Sequence, residues 1–372
     1  MKVLKIGGSI LEKFLEDDNL HSVIEQFDGE LSIVHGGGNY LDNHAENFNY
    51  TKKFVTSPCY PASVIDSTKY GQDAGAVLTG VPNNIPIISS VSEGIRLGAD
   101  TLVVGIATDG GYIPPEYRHF ITDALSSGLN VVSGLHEFIS DDPEFATAAA
   151  KNGCRITDVR KMFRDMKPPY TGRVREIGAR RIAVLGTDSA IGKRTTAVIL
   201  TNTLKQKGIA ASMVGTGQTA WMQGFDHTVV IDSMINDFIP GGLEKVAVEA
   251  WEQEHPDVMF IEGQGSVLHP AYPGSFEIIG ALKPDGIILQ HAPRRLVFDG
   301  FPEDPIPDLE KYIRILEMLS DRKVIAISIN RENMNHNEVA EEIMKLEARF
   351  GIPVFDPLNS QPQKLIEAVD YP

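Results

Sequence analysis

One stretch of the sequence has residue types and spacing that suit the binding of a phosphate group. An apolar run, Ile182–Leu185, precedes a glycine-bounded loop that ends in Gly192-Lys193, and a helix-forming run begins near Ala197. Backbone N–H groups at a helix start lie at the positive end of the helix dipole and hold anions, to which Lys193 adds a charge. The stretch predicts a phosphate-binding P-loop. Its candidate ligand-binding residues are Gly186, Thr187, Asp188, Ser189, Ala190, Ile191, Gly192, Lys193, Arg194, Thr195 and Thr196.

The loop departs from the usual P-loop at one position. Ser or Thr normally follows the lysine directly and binds magnesium, but here Arg194 intervenes before Thr195 and Thr196. The sequence therefore predicts phosphate binding and makes a magnesium site, formed by Thr195 and Glu262, conditional on ATP as the ligand. The alternative is a ligand whose phosphate groups bind without a metal ion.

A second stretch places two candidate catalytic residues after another apolar run. Val258–Ile261 is followed by Glu262, and His269 follows in Leu268-His269-Pro270. Ligands of open α/β sheets bind at the carboxyl ends of the strands, where Glu262 would coordinate magnesium, orient water or act as a base. His269 has an ordinary pKa that suits proton transfer near neutrality. A structural role stays open for His269, as does a role in capping the following turn for Glu262. Together with Lys193, these two residues are the predicted catalytic set.

Other polar residues lie in loops that follow predicted strands and suit the binding of a polar substrate. The candidates are Gln218, Thr219, Asp232, Asp237, Gln264, His136, Glu137 and Arg294. For each, an ordinary role as a cap, turn or surface residue stays open. Arg294 or its neighbour Arg295 would hold a carboxylate or a phosphate.

The elements that must position these residues alternate along the chain. Apolar β-rich runs and helical patterns succeed one another, which predicts an α/β fold with mainly parallel sheets. The proline-rich stretch before Thr171 predicts a boundary between a domain of residues 1–170 and a P-loop domain of residues 171–372. The predicted strands include Thr228–Ile231, and the predicted helices include Glu116–Ser127 and Leu309–Leu319.

Composition excludes several classes of protein. The net charge is −16, from 34 basic and 50 acidic residues, which argues against general nucleic-acid binding. No apolar stretch reaches the length of a membrane span, and the N-terminus is typical of a strand rather than a signal peptide. The isolated Cys59 and Cys154 suit a reducing cytoplasm. We expect a cytoplasmic homo-oligomer that acts on a small molecule, without nucleic-acid or membrane partners.

Several motifs together resemble the DUF1611 family, which is associated with D-glutamate N-acetyltransferases. They are the Gly-Thr-Asp-x-x-x-Gly-Lys loop, Thr216-Gly-Gln-Thr219, Glu262-Gly-Gln-Gly-Ser-x-x-His-Pro270 and, upstream, Ser133-Gly-Leu-His-Glu137. The resemblance spans about residues 60 to 360. It implies a Rossmann-like N-terminal domain, a P-loop C-terminal domain, and acetyl transfer from acetyl-CoA to the amine of D-glutamate, with Glu262 or His269 as the base.

The first 57 residues instead resemble the start of an amino-acid kinase. The similar segments are Val3-Leu-Lys-Ile-Gly-Gly-Ser and Ile33-Val-His-Gly-Gly-Gly. The remainder of such a kinase is missing, so these residues are expected to supply the first β-α-β unit of the Rossmann-like domain, with Gly36–Gly38 as an anion loop.

Two other functions remain open at this stage. The P-loop and the Glu262 strand end also resemble dethiobiotin synthetase, which favours an ATP- and magnesium-dependent ligase or kinase-like enzyme. The third interpretation is a nucleotide-binding regulator without turnover.

Overall fold

The computed structural model describes residues 3–6, 61–79, 82–106 and 108–359, together with positions 364, 366, 367 and 369. The kinase-like segment, with its predicted anion loop at Gly36–Gly38, lies outside this part, except for Val3–Ile6. The described residues form two compact units. One contains the residues up to Arg164 and Trp221–Asp226; the other contains Asp165–Ala220 and the residues from His227 onward.

The first unit is a parallel sheet of six described strands in the order β3-β2-β1-β4-β5-β6. The strands are β1 (Val3–Ile6), β2 (Pro61–Ile65), β3 (Ile87–Ile88), β4 (Thr101–Val104), β5 (Asn130–Ser133) and β6 (Ile156–Asp158). The helices are α1 (Ala74–Thr79), α2 (Val91–Arg96), α3 (Pro115–Ser126), α4 (Pro143–Asn152) and α5 (Val159–Arg164). The strand order runs outward from β1 in both directions, as in doubly wound Rossmann-like folds.

The second unit is also a parallel sheet, with the order β14-β13-β10-β7-β9-β8. Its strands are β7 (Arg180–Gly186), β8 (Ala211–Val214), β9 (Val258–Glu262), β10 (Gly286–His291), β13 (Val324–Ile329) and β14 (Val354–Phe355), and a separate antiparallel hairpin joins β11 (Val297–Phe298) to β12 (Phe301–Pro305). Its helices are α6 (Lys193–Gln206), α7 (Gln218–Met222), α8 (Ile239–Glu254), α9 (Ser275–Leu282), α10 (Leu309–Ser320) and α11 (His336–Phe350). Because β9 and β10 flank β7, their carboxyl ends bring Glu262 and His291 beside the P-loop.

The predicted α/β fold with mainly parallel sheets is confirmed, and one predicted strand is wrong. Thr228–Ile231 contributes only an isolated bridge from Thr228 to Gly215, and Ile231 begins a short 3-10 turn. The β11–β12 hairpin was not predicted, because Phe301-Pro-Glu-Asp-Pro305 has the composition of a loop. No helix of the described chain is long and apolar enough to cross a membrane.

The connector that follows α5 is packed onto α8 of the second unit. The buried carboxylate of Glu244 accepts hydrogen bonds from the backbone N–H groups of Thr171 (2.6 Å) and Val174 (3.1 Å). A Cβ atom on Gly241 would lie 2.0 Å from the carbonyl oxygen of Pro168, so only glycine allows this approach. The predicted boundary at residue 170 therefore falls inside a connector that packs as part of the P-loop unit.

Candidate phosphate-binding site

The P-loop connects the end of β7 to the start of α6. Gly192 precedes the helix with a φ of 98°, in the left-handed region that glycine adopts without strain. Lys193 is buried, and its Nζ donates a hydrogen bond to the carbonyl oxygen of Asp188 at 2.6 Å. A Cβ atom on Gly186 would lie 2.9 Å from both the Ile191 and Lys193 side chains. The loop therefore curls tightly around the lysine, with the positive end of α6 facing the loop.

A buried ionic network fixes the base of this loop. The fully buried carboxylate of Asp188 accepts hydrogen bonds from the N–H groups of Ser189 (2.7 Å) and Asp299 (3.0 Å). The Nη1 atom of Arg295 lies 3.1 Å from the same carboxylate, and its Nη2 atom lies 2.8 Å from Glu332. Burial alone would lower the pKa of Arg295, but Glu332 and Asp188 raise it above its ordinary value. Arg295 therefore stays charged and compensates two carboxylates.

The two arginines named for anion binding, Arg294 and Arg295, differ in their surroundings. Arg294 lies in an exposed ion pair with Glu338 at 2.8 Å, whereas Arg295 turns inward. A turn closed by the hydrogen bond from Arg295 N to Ala292 O separates the directions of the two side chains. The Arg294-Arg295 dipeptide was the available signal, but residue type alone does not indicate which arginine points inward.

The first turn of α6 contains Thr195, one of the two residues predicted for magnesium; the other, Glu262, ends β9. Thr196 donates a hydrogen bond to Gln290 Oε1 at 2.6 Å and lies 3.3 Å from Ser328 Oγ, so its hydroxyl faces the sheet. Arg194 Nη1 lies 3.4 Å from Glu262 Oε1. The hydroxyl of Thr195 is buried and has no hydrogen-bond partner in the described part of the chain.

Glu262 lies at the carboxyl end of β9, as predicted. It is buried, and its Oε2 atom accepts a hydrogen bond from Thr216 N at 2.8 Å. The neighbouring loops approach it closely, because a Cβ atom on Gly217 would lie 4.0 Å from Glu262 Oε1 and 2.7 Å from Gln264 Nε2. The structure thus brings Glu262, Gln264 and the Thr216–Gly217 turn together with Arg194.

The structure argues against His269 as the base. Its ring is buried, and its Nδ1 atom accepts hydrogen bonds from the N–H groups of Ala271 (3.1 Å) and Tyr272 (3.0 Å). The neutral ring therefore has its proton on Nε2, which lies 3.4 Å from Asp188 Oδ1. Burial lowers the pKa of His269, although Asp188 opposes this effect. With Nδ1 already accepting two hydrogen bonds, His269 supports the loop instead of accepting a substrate proton.

His291 is a second histidine at the loop, at the end of β10. Its Nδ1 atom lies 3.1 Å from the hydroxyl of Thr187. Burial of the ring lowers its pKa to about 4, while Glu342 and Asp308 oppose this effect and Lys345 adds to it. His291 is therefore neutral near pH 7, and its contact with Thr187 is a hydrogen bond between neutral groups.

The other predicted substrate residues are less closely associated with the loop. Asp232 and Asp237 are exposed on short 3-10 turns, and Gln218 and Thr219 are half-buried at the start of α7. His136 and Glu137 belong to the first unit, where Glu137 accepts a hydrogen bond from Ile113 N at 2.6 Å. Among the described residues, no group of three or more His, Cys, Asp or Glu side chains has the arrangement of a metal site.

Two family models match the chain. A Rossmann-like domain of unknown function, DUF1611_N, matches residues 67–162, and a P-loop domain of unknown function, DUF1611_C, matches residues 168–366. The chain belongs to the DUF1611 family. The predicted Rossmann-like and P-loop domains of this DUF1611 protein are thereby confirmed.

Named relatives and a solved structure extend this finding. A D-glutamate N-acetyltransferase from Tritonibacter scottomollicae is 32% identical over 286 residues, which cover 75% of this chain and 84% of the relative. Another from a Pseudoalteromonas species is 31% identical over 276 residues, covering 73% and 81%. The crystal structure of a DUF1611 family protein from Anabaena variabilis has a TM-score of 0.80 and 26% identity, covering 100% of this DUF1611 chain and 99% of that one.

Proposed function

We propose that this protein transfers an acetyl group from acetyl-CoA to the amine of D-glutamate. The observation that carries the proposal is its 32% identity to a D-glutamate N-acetyltransferase over 84% of that enzyme's length. The relatives' names support N-acetyl transfer. The acetyl donor and its mode of binding are our proposal from the chemistry of the P-loop.

The P-loop suits the phosphate groups of CoA. CoA contains a pyrophosphate and a separate phosphate on its ribose, and the start of α6 combines helix-dipole charge with Lys193 and Arg194. The chain as a whole has a net charge of −16, so this cationic loop differs sharply from the average charge of the protein. We propose that Lys193 exchanges its contact with the Asp188 carbonyl for a phosphate oxygen.

Glu262 is our proposed base for the amine. The substrate ammonium group must lose a proton before its nitrogen attacks the thioester carbon; the new C–N bond then replaces the C–S bond, and CoA leaves as a thiolate. Glu262 is close to the loop, and backbone N–H groups of the glycine-containing turns at Gly217 and Gly263 are suited to stabilise the oxyanion.

The test measures release of CoA thiol from acetyl-CoA with D-glutamate, with L-glutamate and without an amine, and identifies the product by mass spectrometry. We expect turnover with D-glutamate. Because a hydrogen bond to a charged group contributes about 1.5–3 kcal/mol, Lys193→Ala should lower kcat/KM by roughly 10- to 150-fold. The control is Lys345→Ala, because Lys345 is exposed on α11 in a pair with Glu342.

Two results would reject the proposal. If acetyl-CoA is not consumed and ATP is hydrolysed only with an amine or carboxylate substrate, the protein is the ATP-dependent ligase. If nucleotide binds without any turnover, it is a regulator.

A further inference from the structure

The residue after the P-loop lysine is an arginine with an unsatisfied donor. Only 13% of the Arg194 side chain is exposed, and its Nη1 atom lies 3.4 Å from Glu262 Oε1. Its buried Nε atom has no acceptor among the residues that the structure describes. A buried donor without an acceptor is costly, so this guanidinium is suited to gain a hydrogen bond when an anion arrives.

Arg194 occupies the sequence position at which other P-loop proteins have a metal-binding hydroxyl. In those proteins, the hydroxyl after the lysine and an acidic residue at a nearby strand end hold Mg²⁺ between them. Here the corresponding positions are Arg194 and Glu262, and β9 pairs directly with β7. The hydroxyl of Thr196 does not substitute, because it is hydrogen-bonded to Gln290 beneath the helix.

We propose that Arg194 is the built-in cation of this P-loop. Its guanidinium leaves Glu262 and binds the phosphate of the ligand, so an organic diphosphate binds without a divalent metal ion. Arginine is always charged and binds phosphate through two parallel hydrogen bonds, which suits it to this role. The carboxylate of Glu262 retains its hydrogen bond from Thr216 N after the exchange. This inference rests on the phosphate site of the proposed function.

The test is calorimetric titration of the full-length protein with inorganic pyrophosphate and with CoA, in EDTA and in Mg²⁺. The wild-type affinity should be the same in both buffers within about twofold. Arg194→Ser restores the usual hydroxyl and removes the charge; it should weaken binding in EDTA by about 10- to 100-fold and regain part of the affinity in Mg²⁺. Arg349→Ser is the control, because Arg349 lies in an exposed pair with Asp308.

Two binding results would overturn the inference. One is a wild-type protein that binds pyrophosphate only with Mg²⁺, and the other is an Arg194→Ser protein that binds like wild type in EDTA. Should Arg194→Ser fail to fold, Glu262→Gln supplies the test. Removing the competing carboxylate should leave pyrophosphate binding as tight as in wild type or tighter, and weaker binding contradicts the proposal.

Acetyl transfer measured on the same preparations separates this inference from the proposed function. The expected binding pattern without acetyl transfer supports Arg194 and rejects the acetyltransferase. Conversely, the Arg194→Ser protein could transfer acetyl groups in EDTA with the same KM for acetyl-CoA as wild type. That result overturns the role of Arg194 and still supports the proposed acetyltransferase function.

Discussion

Arg295 compensates two carboxylates beneath the P-loop, and Arg295→Met tests how much that compensation stabilises the fold. Asp188 is fully buried, and Arg295 and Glu332 have side chains exposed by only 10% and 14%. Removing one partner of a buried ion pair typically costs about 3–5 kcal/mol, because the other charge is left uncompensated. Asp188 would keep its hydrogen bonds from Ser189 N and Asp299 N, so we expect a loss of about 3 kcal/mol, at the lower end of that range.

This loss converts into a measurable change in melting temperature. For a domain of roughly 200 residues, each kcal/mol shifts the Tm by about 2–4 °C, so Arg295→Met should lower it by about 6–12 °C. Circular dichroism during heating measures the change. The matched control is Arg294→Met, whose exposed pair with Glu338 is expected to contribute at most about 1 kcal/mol.

A double variant tests whether the loss of stability comes from an uncompensated buried charge. Asp188→Asn combined with Arg295→Met removes one of the uncompensated charges, so the loss should be smaller than the sum of the two single losses. Equal Tm values for Arg295→Met and Arg294→Met, or strictly additive losses in the double variant, would refute the assignment of Arg295 as the compensating charge.

Four further predictions concern the same unit. Because the pKa of His291 is lowered from 6.5 to about 4 in the fold, stability falls as pH drops below 6.5; urea unfolding should show a loss of about 2 kcal/mol between pH 7 and 5, which His291→Gln removes. Gly263→Ala should cost about 1–3 kcal/mol by thermal unfolding, because its Cβ would lie 2.3 Å from a β7 carbonyl oxygen. Gly280→Ala, with no described atom within 4 Å, should instead gain up to about 1 kcal/mol. Thr196→Val should cost about 1–3 kcal/mol in the same assay, with pyrophosphate affinity in titration unchanged.

The P-loop could be predicted from the sequence because all of its parts are contiguous. One strand, one loop and one helix start contain Gly186, Gly192 and Lys193, and their local geometry follows from residue types. Glu262 was also predicted to lie at the end of a strand, because a buried apolar run preceded it. In both cases a short-range pattern was sufficient.

The network beneath the loop could not be predicted in this way. Asp188 and Glu332 lie 107 and 37 residues from Arg295 in the sequence, and only the tertiary fold brings them to it. The β11–β12 hairpin, which places the Phe298 ring 5.1 Å from the ring of His269, has the composition of a loop. The hydrogen bonds that His269 Nδ1 accepts from Ala271 N and Tyr272 N could not be predicted for the same reason, because they exist only once the following turn is formed.

The packing of the connector on α8 determines where the chain can be divided without damage. A protein fused at Thr171 would lose Pro168 from its slot at Gly241 and disturb two backbone donors that satisfy the buried Glu244 carboxylate. A junction placed between Arg164 and Pro168 would retain the packing of Pro168 on Gly241 and the two hydrogen bonds to Glu244. Insertions that lengthen the chain are therefore best accommodated just after α5, and the connector behaves in recombination as the first segment of the P-loop unit.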